Sequence, residues 1–259
     1  MKGAVLASGS GTDFQAIIDH IHLGILQNFE VSLLVTNNPE AYALKRVEKH
    51  GVKPVVVPHK HKDGTVKDRQ LHSDEVKKVC DENKVDLILL AGYLRKLMPN
   101  FVESYFGRIM NIHPALLPAF GGEGWFGEKV HLAVLAYGVD FSGCTVHYVD
   151  SGYDTGPIIL QKIVKVRRDD TVDSLRKRIL AVEHRAYPEA IQMHVDGKLR
   201  LETRINPVNN SQIKAVVKTI DDQWQKEWKR RQQKYLERQP QIWLREFGEP
   251  FPDVDYWPP

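Results

Sequence analysis

The sequence predicts an α/β fold: a doubly wound, mostly parallel sheet with an antiparallel edge and a helical C-terminal extension. Three observations carry this. Short apolar runs rich in β-formers alternate with longer amphipathic stretches from residue 3 to about 202. Two extended segments, 142–150 and 157–166, then flank the turn Gly152 to Pro157 with no helix between them, as an antiparallel pair does. Beyond residue 203 the composition changes. Four of the five tryptophans (Trp224, Trp228, Trp243, Trp257) lie there with the basic cluster Lys226, Lys229, Arg230, Arg231 and Lys234.

Taken in order, 3–7, 31–36, 54–58 and 86–91 are apolar and bounded by turn residues, the pattern of strands buried on both faces. Between them, 13–24, 40–50 and 66–83 carry apolar residues at helical spacing, for instance Phe14, Ile17, Ile18 and Ile21. Strand alternating with helix implies parallel pairing through right-handed crossovers. A helical stretch from Pro99 to Phe106 precedes a fifth strand, Arg108 to His113. Residues 119–130 hold Gly121, Gly122, Gly124 and Gly127, too much glycine for a stable helix, and read as a mobile loop before a short helix at 131–138. A long helix starts near Thr171 and stops at Asp196-Gly197, before a last strand from Lys198 to Glu202. This sets one domain at 1–203 and an extension at 204–259. In the extension, 206–210 (Asn206-Pro207-Val208-Asn209-Asn210) reads as a linker, and a helix is expected over 212–238, stopped by Pro240.

The 259 residues are 42% hydrophobic and 27% charged, the balance of a folded soluble chain rather than a disordered or fibrous one. No apolar run approaches the roughly 18 residues of a membrane span, and the start lacks a signal peptide's pattern, so a cytoplasmic or organellar protein is expected. Two cysteines, Cys80 and Cys144, are too few for a disulfide framework or a cysteine-built zinc site and suit a reducing compartment. The net charge of +3 leaves anionic small molecules and nucleic acid both open as partners.

Three segments carry candidate chemistry. Ser8-Gly9-Ser10-Gly11-Thr12-Asp13 joins the first strand to the first helix, where backbone N–H groups and the helix dipole favour an anion such as phosphate. It is neither the dinucleotide fingerprint nor a P-loop, and its glycines also suit a plain tight turn. Asp13 has a second reading, as the cap of the first helix. In Asn111-Ile112-His113-Pro114, strand alternation puts Asn111 and His113 on one side, at the carboxyl edge where open α/β sheets bind ligands. Histidine exchanges protons near neutral pH, and an asparagine amide donates to a developing oxyanion. Asp154, in the turn Asp150 to Pro157, either orients His113 and raises its pKa or only shapes the turn. His147 alternates with Thr145 in a strand, and a structural imidazole is its default; no metal site is expected.

In combination these residues resemble the phosphoribosylglycinamide formyltransferase family. The resemblance runs in order over about 1–202, through 5–19, 90–95, 111–118, 143–147, 153–161 and Glu183-His184. It implies a formyltransferase-like Rossmann variant, with 1–203 as the catalytic domain. It further implies transfer of the formyl group of 10-formyltetrahydrofolate, a cosubstrate, to the amine of 5'-phosphoribosylglycinamide in purine synthesis. By resemblance, His113 is the proton-transfer residue, Asn111 stabilises the oxyanion and also contacts folate, and Asp154 tunes the histidine. Gly11, Thr12 and Asp13 match the phosphate turn and Glu183 the glycinamide site; Leu94, Arg95, Lys96 and Leu97 match the pterin segment, and Arg69 the glutamate-tail region. Other users of the same donor, a methionyl-tRNA formyltransferase or a formyltetrahydrofolate hydrolase, and a non-catalytic nucleotide-binding α/β protein are the alternatives.

The chain departs from the family in three places. Asp13 replaces the usual asparagine, the loop 119–130 is longer and richer in glycine, and the tail after Arg204 lies outside the resemblance. The loop is expected to act as a lid. In the tail, Trp224 and Trp228 form a helical stripe with Ile220. Packing of that stripe on the catalytic domain, or on a second subunit in a homodimer, is expected ahead of a nucleic-acid arm, because Asp221, Asp222, Glu227 and Glu237 dilute the basic charge.

Overall fold

The computed structural model describes residues 1–207 and 209–254. Seven strands form one sheet: β1 (Lys2–Leu6), β2 (Glu30–Thr36), β3 (Lys53–Val56), β4 (Leu87–Leu90), β5 (Ile109–His113), β6 (Phe141–Tyr148) and β7 (Ile158–Lys165). Their order is β3-β2-β1-β4-β5-β6-β7. The first five pair in parallel, and β6 runs antiparallel to both β5 and β7. The strand order reverses on either side of β1, between β2 and β4, and this is the switch point at which doubly wound sheets open a crevice.

The apolar runs form strands because both faces of the sheet are covered. Val5, Leu34 and Leu89 point into the layer holding α1 (Thr12–His22) and α6 (Val172–Val195). Ala4, Leu33 and Ile88 point the other way, towards α3 (Arg69–Glu82) and α4 (Pro99–Ser104). The alternation places successive side chains in opposite cores. α2 (Ala43–Val47) is shorter than the 40–50 expected, and α5 (Glu128–Tyr137) begins three residues before 131, so the glycine-rich loop closes at Gly127.

The tail differs most from expectation. Residues 199–205 form β8 (Leu199–Ile205), which pairs with β9 (Gln212–Lys218) in a separate two-stranded ribbon rather than ending the main sheet. Segment 212–218 is therefore strand, not the start of a helix; Ile213, Val216 and Val217 favour the extended chain, and the ladder ends at the pair Ile205 and Gln212. β8 runs across position 203/204. The helix, α7 (Asp222–Phe247), starts ten residues later than expected and passes through Pro240. Proline removes one N–H from the helical ladder, a change that ends helices lacking other support. Here the flanking Tyr235, Gln239 and Trp243 are buried, and the Gln239 amide donates to the Ala181 carbonyl of α6 at 2.9 Å. Tertiary packing thus overrides the local signal.

α7 lies on its own chain. Trp228 packs with Ile25 and Tyr235, Trp224 stacks on Trp228 at 5.8 Å, and the Trp224 indole donates to Asp196 at 2.7 Å. The expected packing of Trp224 and Trp228 on the catalytic domain is what the structure has; Trp257 lies outside the described residues. No helix among the described residues is long and apolar enough to cross a membrane.

Candidate active site

A cleft of about 850 Å³ opens at the carboxyl edge of β4 and β5. Its floor is built by the β5–β6 ladder, in which Asn111 faces His147 and His113 faces Thr145. The two-residue period of a strand therefore puts Asn111, His113 and His147 together, as alternation predicted for the first two. Thr145 holds the chain leaving β5: its hydroxyl donates to the Ala115 carbonyl at 2.7 Å and accepts from the Leu117 N–H at 3.0 Å.

Asp154 reaches the same point from the turn after β6. It sits in the left-handed region (φ 57), which aspartate tolerates better than most residues. Its turn is shaped by Asp150, whose carboxylate accepts from Gly152 N–H at 3.0 Å and Thr155 hydroxyl at 2.7 Å. Gly156 is required there, since a Cβ would lie 1.8 Å from the Tyr148 carbonyl oxygen.

The hydrogen bonds fix the donors. Tyr148 carbonyl can only accept, so His147 carries its proton on Nδ1 (2.9 Å), leaving Nε2 to accept from the Asn111 amide at 3.1 Å. Asn111 makes a longer contact with Asp154 Oδ1, 3.4 Å. By the same logic His113 donates from Nε2 to the Phe120 carbonyl at 2.8 Å. Its Nδ1 lies 3.5 Å from Asp154 Oδ2, which also accepts from the Gly122 N–H at 3.1 Å. Sequence reasoning treated His147 as structural. The cross-strand register makes it part of the site.

Burial lowers the pKa of His113 below the ordinary imidazole range, opposed by the Asp154 charge and the Phe120 carbonyl. Burial alone would raise the pKa of Asp154, but His147 and His113, when either is protonated, and the Gly122 N–H hold it below the usual carboxylate range. A neutral imidazole thus sits beside an ionised carboxylate, so a proton reaching Nδ1 has a counter-charge waiting.

At the other end of the cleft lie Thr12, Asp13 and Glu183. Gly11 (φ 70) lies beneath them against α2, where a Cβ would meet that of Ala43 at 2.7 Å. Gly11 itself is the N-cap of α1, and no side chain caps this helix, so the capping role weighed for Asp13 is not seen. One Asp13 oxygen is instead buried without a hydrogen-bond partner. Burial pushes its pKa up to about 7, and burial together with the neighbouring Asp13 charge pushes that of Glu183 well above the carboxylate range.

Leu94, Arg95, Lys96 and Leu97 line the wall beyond β4, and Lys96 lies 4.0 Å above the Tyr153 ring. Buried Leu90 and Ile112 and half-buried Val149 make this part apolar. Arg69 opens α3 and is not among the residues lining the cleft. Gly122 to Gly127 of the glycine-rich loop, with Trp125 and Phe126 among them, also line the cleft. Arg46 and, from the C-terminal helix, Glu246 and Phe247 also reach it, which nothing local in the sequence signals. No group of three His, Cys, Asp or Glu side chains among the described residues is placed to hold a metal.

Known proteins match this sequence and fold. The formyl transferase family model matches residues 1–191. A chloroplastic phosphoribosylglycinamide formyltransferase of Vigna unguiculata is 38% identical over 214 residues, covering 80% of this chain and 67% of that protein. The trifunctional purine biosynthetic protein adenosine-3 of Bos taurus is 37% identical over 198 residues, 76% of this chain and 19% of that much longer one. The crystal structure of glycinamide ribonucleotide transformylase 1 from Symbiobacterium toebii superposes with a TM-score of 0.71 at 36% identity, covering 85% of this chain and 94% of that one. With the switch-point cleft and an ordered match of this length, the chain belongs to the formyl transferase family, among the phosphoribosylglycinamide formyltransferases.

Proposed function

We infer that the protein transfers the formyl group of 10-formyltetrahydrofolate to the amine of 5'-phosphoribosylglycinamide, a step of purine biosynthesis. The observation that carries the reading is the convergence of Asn111, His113 and Asp154 at one end of a cleft whose other end is the Ser10–Asp13 turn. The first is an acyl-transfer site and the second suits a phosphate. The apolar wall at Leu94–Leu97, with Arg95 and Lys96 beside it, suits the pterin and the anionic tail of a folate.

In this reading the acceptor amine attacks the formyl carbon. A C–N bond forms and the carbonyl electrons move to oxygen. The longer Asn111 contact, to Asp154 at 3.4 Å, is the one exchanged, so that this N–H donates to the oxyanion while His147 keeps the amide in place. Once the Phe120 carbonyl leaves, the His113 proton moves through solvent from Nε2 to Nδ1, which faces the Asp154 carboxylate, and the freed Nε2 takes the proton of the attacking nitrogen. As the bond from the formyl carbon to folate N10 breaks, the proton passes to N10. The products are the formylated nucleotide and tetrahydrofolate.

Small-molecule substrates account for the mild positive charge without nucleic acid, and the tryptophan stripe of α7 is already buried on its own chain, which supports a role within one subunit. Two buried free cysteines support a reducing compartment such as the cytoplasm. The test is an acceptor panel with 10-formyltetrahydrofolate: phosphoribosylglycinamide, charged initiator tRNA, and water alone. Transfer to the nucleotide far above the other two is expected; preference for tRNA, or hydrolysis alone, overturns the reading.

A further inference from the structure

The family match ends at residue 191, yet α7 enters the cleft. Its last turn brings Glu246 and Phe247 beside the phosphate turn. Arg46 of α2 is buried there, and its Nε donates to the Ser10 carbonyl at 2.8 Å. Its terminal nitrogen pairs with the Glu246 carboxylate. The Tyr42 ring lies 5.2 Å from the guanidinium. The other cationic side chains of the cleft are placed elsewhere: Lys96 lies over Tyr153, Arg95 adjoins it, and Arg176 is paired with Asp173 at 2.7 Å.

A guanidinium has five N–H donors. Ser10 and Glu246 engage one each, which leaves three for a ligand. Glu246 is held in turn: Arg245 lies 3.2 Å from its second oxygen, and Glu249 anchors the chain just beyond to Lys177 at 2.7 Å. Side-chain exposures of 9% for Arg46 and 15% for Glu246 keep the pair out of bulk water, where a fixed geometry counts for more than it does at an exposed surface.

We propose that α7 is a working part of the acceptor site, in which Glu246 is a positioning residue that holds Arg46 with its free N–H groups over the phosphate on the Ser10–Thr12 turn. The proposal rests on the reading of the acceptor as a phosphorylated glycinamide. Loss of Glu246 leaves the arginine charge but frees its orientation, so the cost falls on phosphate recognition rather than on formyl transfer.

The experiment compares kinetics of the full chain and of Glu246→Ala, Glu246→Gln and Arg46→Ala, with phosphoribosylglycinamide and with its dephosphorylated riboside. Inorganic phosphate binding to each protein is titrated alongside. Glu246→Ala and Arg46→Ala are expected to raise the nucleotide KM roughly 10-fold more than the riboside KM, the scale of one charge-assisted hydrogen bond. The loss falls on KM rather than kcat, and phosphate binding weakens in parallel. Glu246→Gln, which keeps an accepting oxygen, recovers most of it. An unchanged or lower nucleotide KM in Glu246→Ala overturns the proposal, and so does an equal loss with both acceptors. If the unaltered protein formylates neither acceptor, the functional reading fails, and the phosphate titration then decides: weaker binding in Glu246→Ala supports the role of Glu246, and equal binding overturns it.

Discussion

The Asn111 amide donates to His147 Nε2 at 3.1 Å across the β5–β6 ladder, where the two residues are register partners. The bond fixes the amide without using the N–H that the oxyanion needs. His147→Ala is therefore expected to lower kcat with little change in acceptor KM, and by less than the roughly 10²–10³-fold loss that deleting an oxyanion donor produces in Asn111→Ala. His147→Gln, whose amide oxygen can accept from Asn111, restores part of the rate. Equal losses for His147→Gln and His147→Ala would contradict this role.

Asp154 and His113 set the pH dependence. The Asp154 charge raises the pKa of His113 against the lowering effect of burial. Removing that charge in Asp154→Asn lowers the His113 pKa further. The acid limb of kcat/KM is expected to move to lower pH, while the plateau rate falls by about 10²–10⁴, the scale of lost acid–base assistance. An acid limb that stays in place shows that His113 is not the titrating base.

Asp13 acts at the acceptor end. Burial raises its pKa to about 7, so the side chain is neutral below that pH and anionic above it. Acceptor KM is expected to rise as pH passes through about 7, because the carboxylate repels phosphate, and Asp13→Asn flattens the rise. The same shift sets the sign for stability: the Asp13 contribution is complete below the unfolded value of 3.8 and lost as pH rises through about 7. Asp13→Asn is thus expected to be more heat-stable than the natural chain in alkaline buffer, and identical pH profiles for both proteins exclude this account.

The Phe120 carbonyl occupies the His113 nitrogen needed for proton transfer, and Trp125 lies in the same loop against the cleft. Catalysis therefore requires 119–127 to shift. A change in tryptophan fluorescence on adding acceptor and a folate analogue is expected, and Trp125→Phe should remove it. A signal that survives in Trp125→Phe assigns the motion elsewhere.

The strands and most helices of the first 200 residues were legible because each has a strong local cause. Leu87–Leu90, buried on both faces, has no polar residue to hide, and Asn111 and His113 share a face by simple alternation. His147 was legible only in part. Its alternation with Thr145 gives its face, but its role depends on which Asn111 neighbour the antiparallel register supplies. The ribbon of β8 and β9 has no separate local signal, because Ile213, Val216 and Val217 run on into the helical pattern that follows, and Pro240 has the form of a helix stop although buried Gln239 and Trp243 hold the helix through it. Glu246 lies 200 positions from Arg46, so no local pattern joins them.

The most direct test of the central claim is the rate of formyl transfer from 10-formyltetrahydrofolate to phosphoribosylglycinamide, measured in a single turnover for the natural chain and for His113→Ala with acceptor and donor binding measured on the same proteins. The account predicts formylated nucleotide from the natural chain, and from His113→Ala a loss of about 10²–10⁴ in rate with both ligands still bound. A near-natural rate in His113→Ala, or no formylated nucleotide from the natural chain, would contradict it.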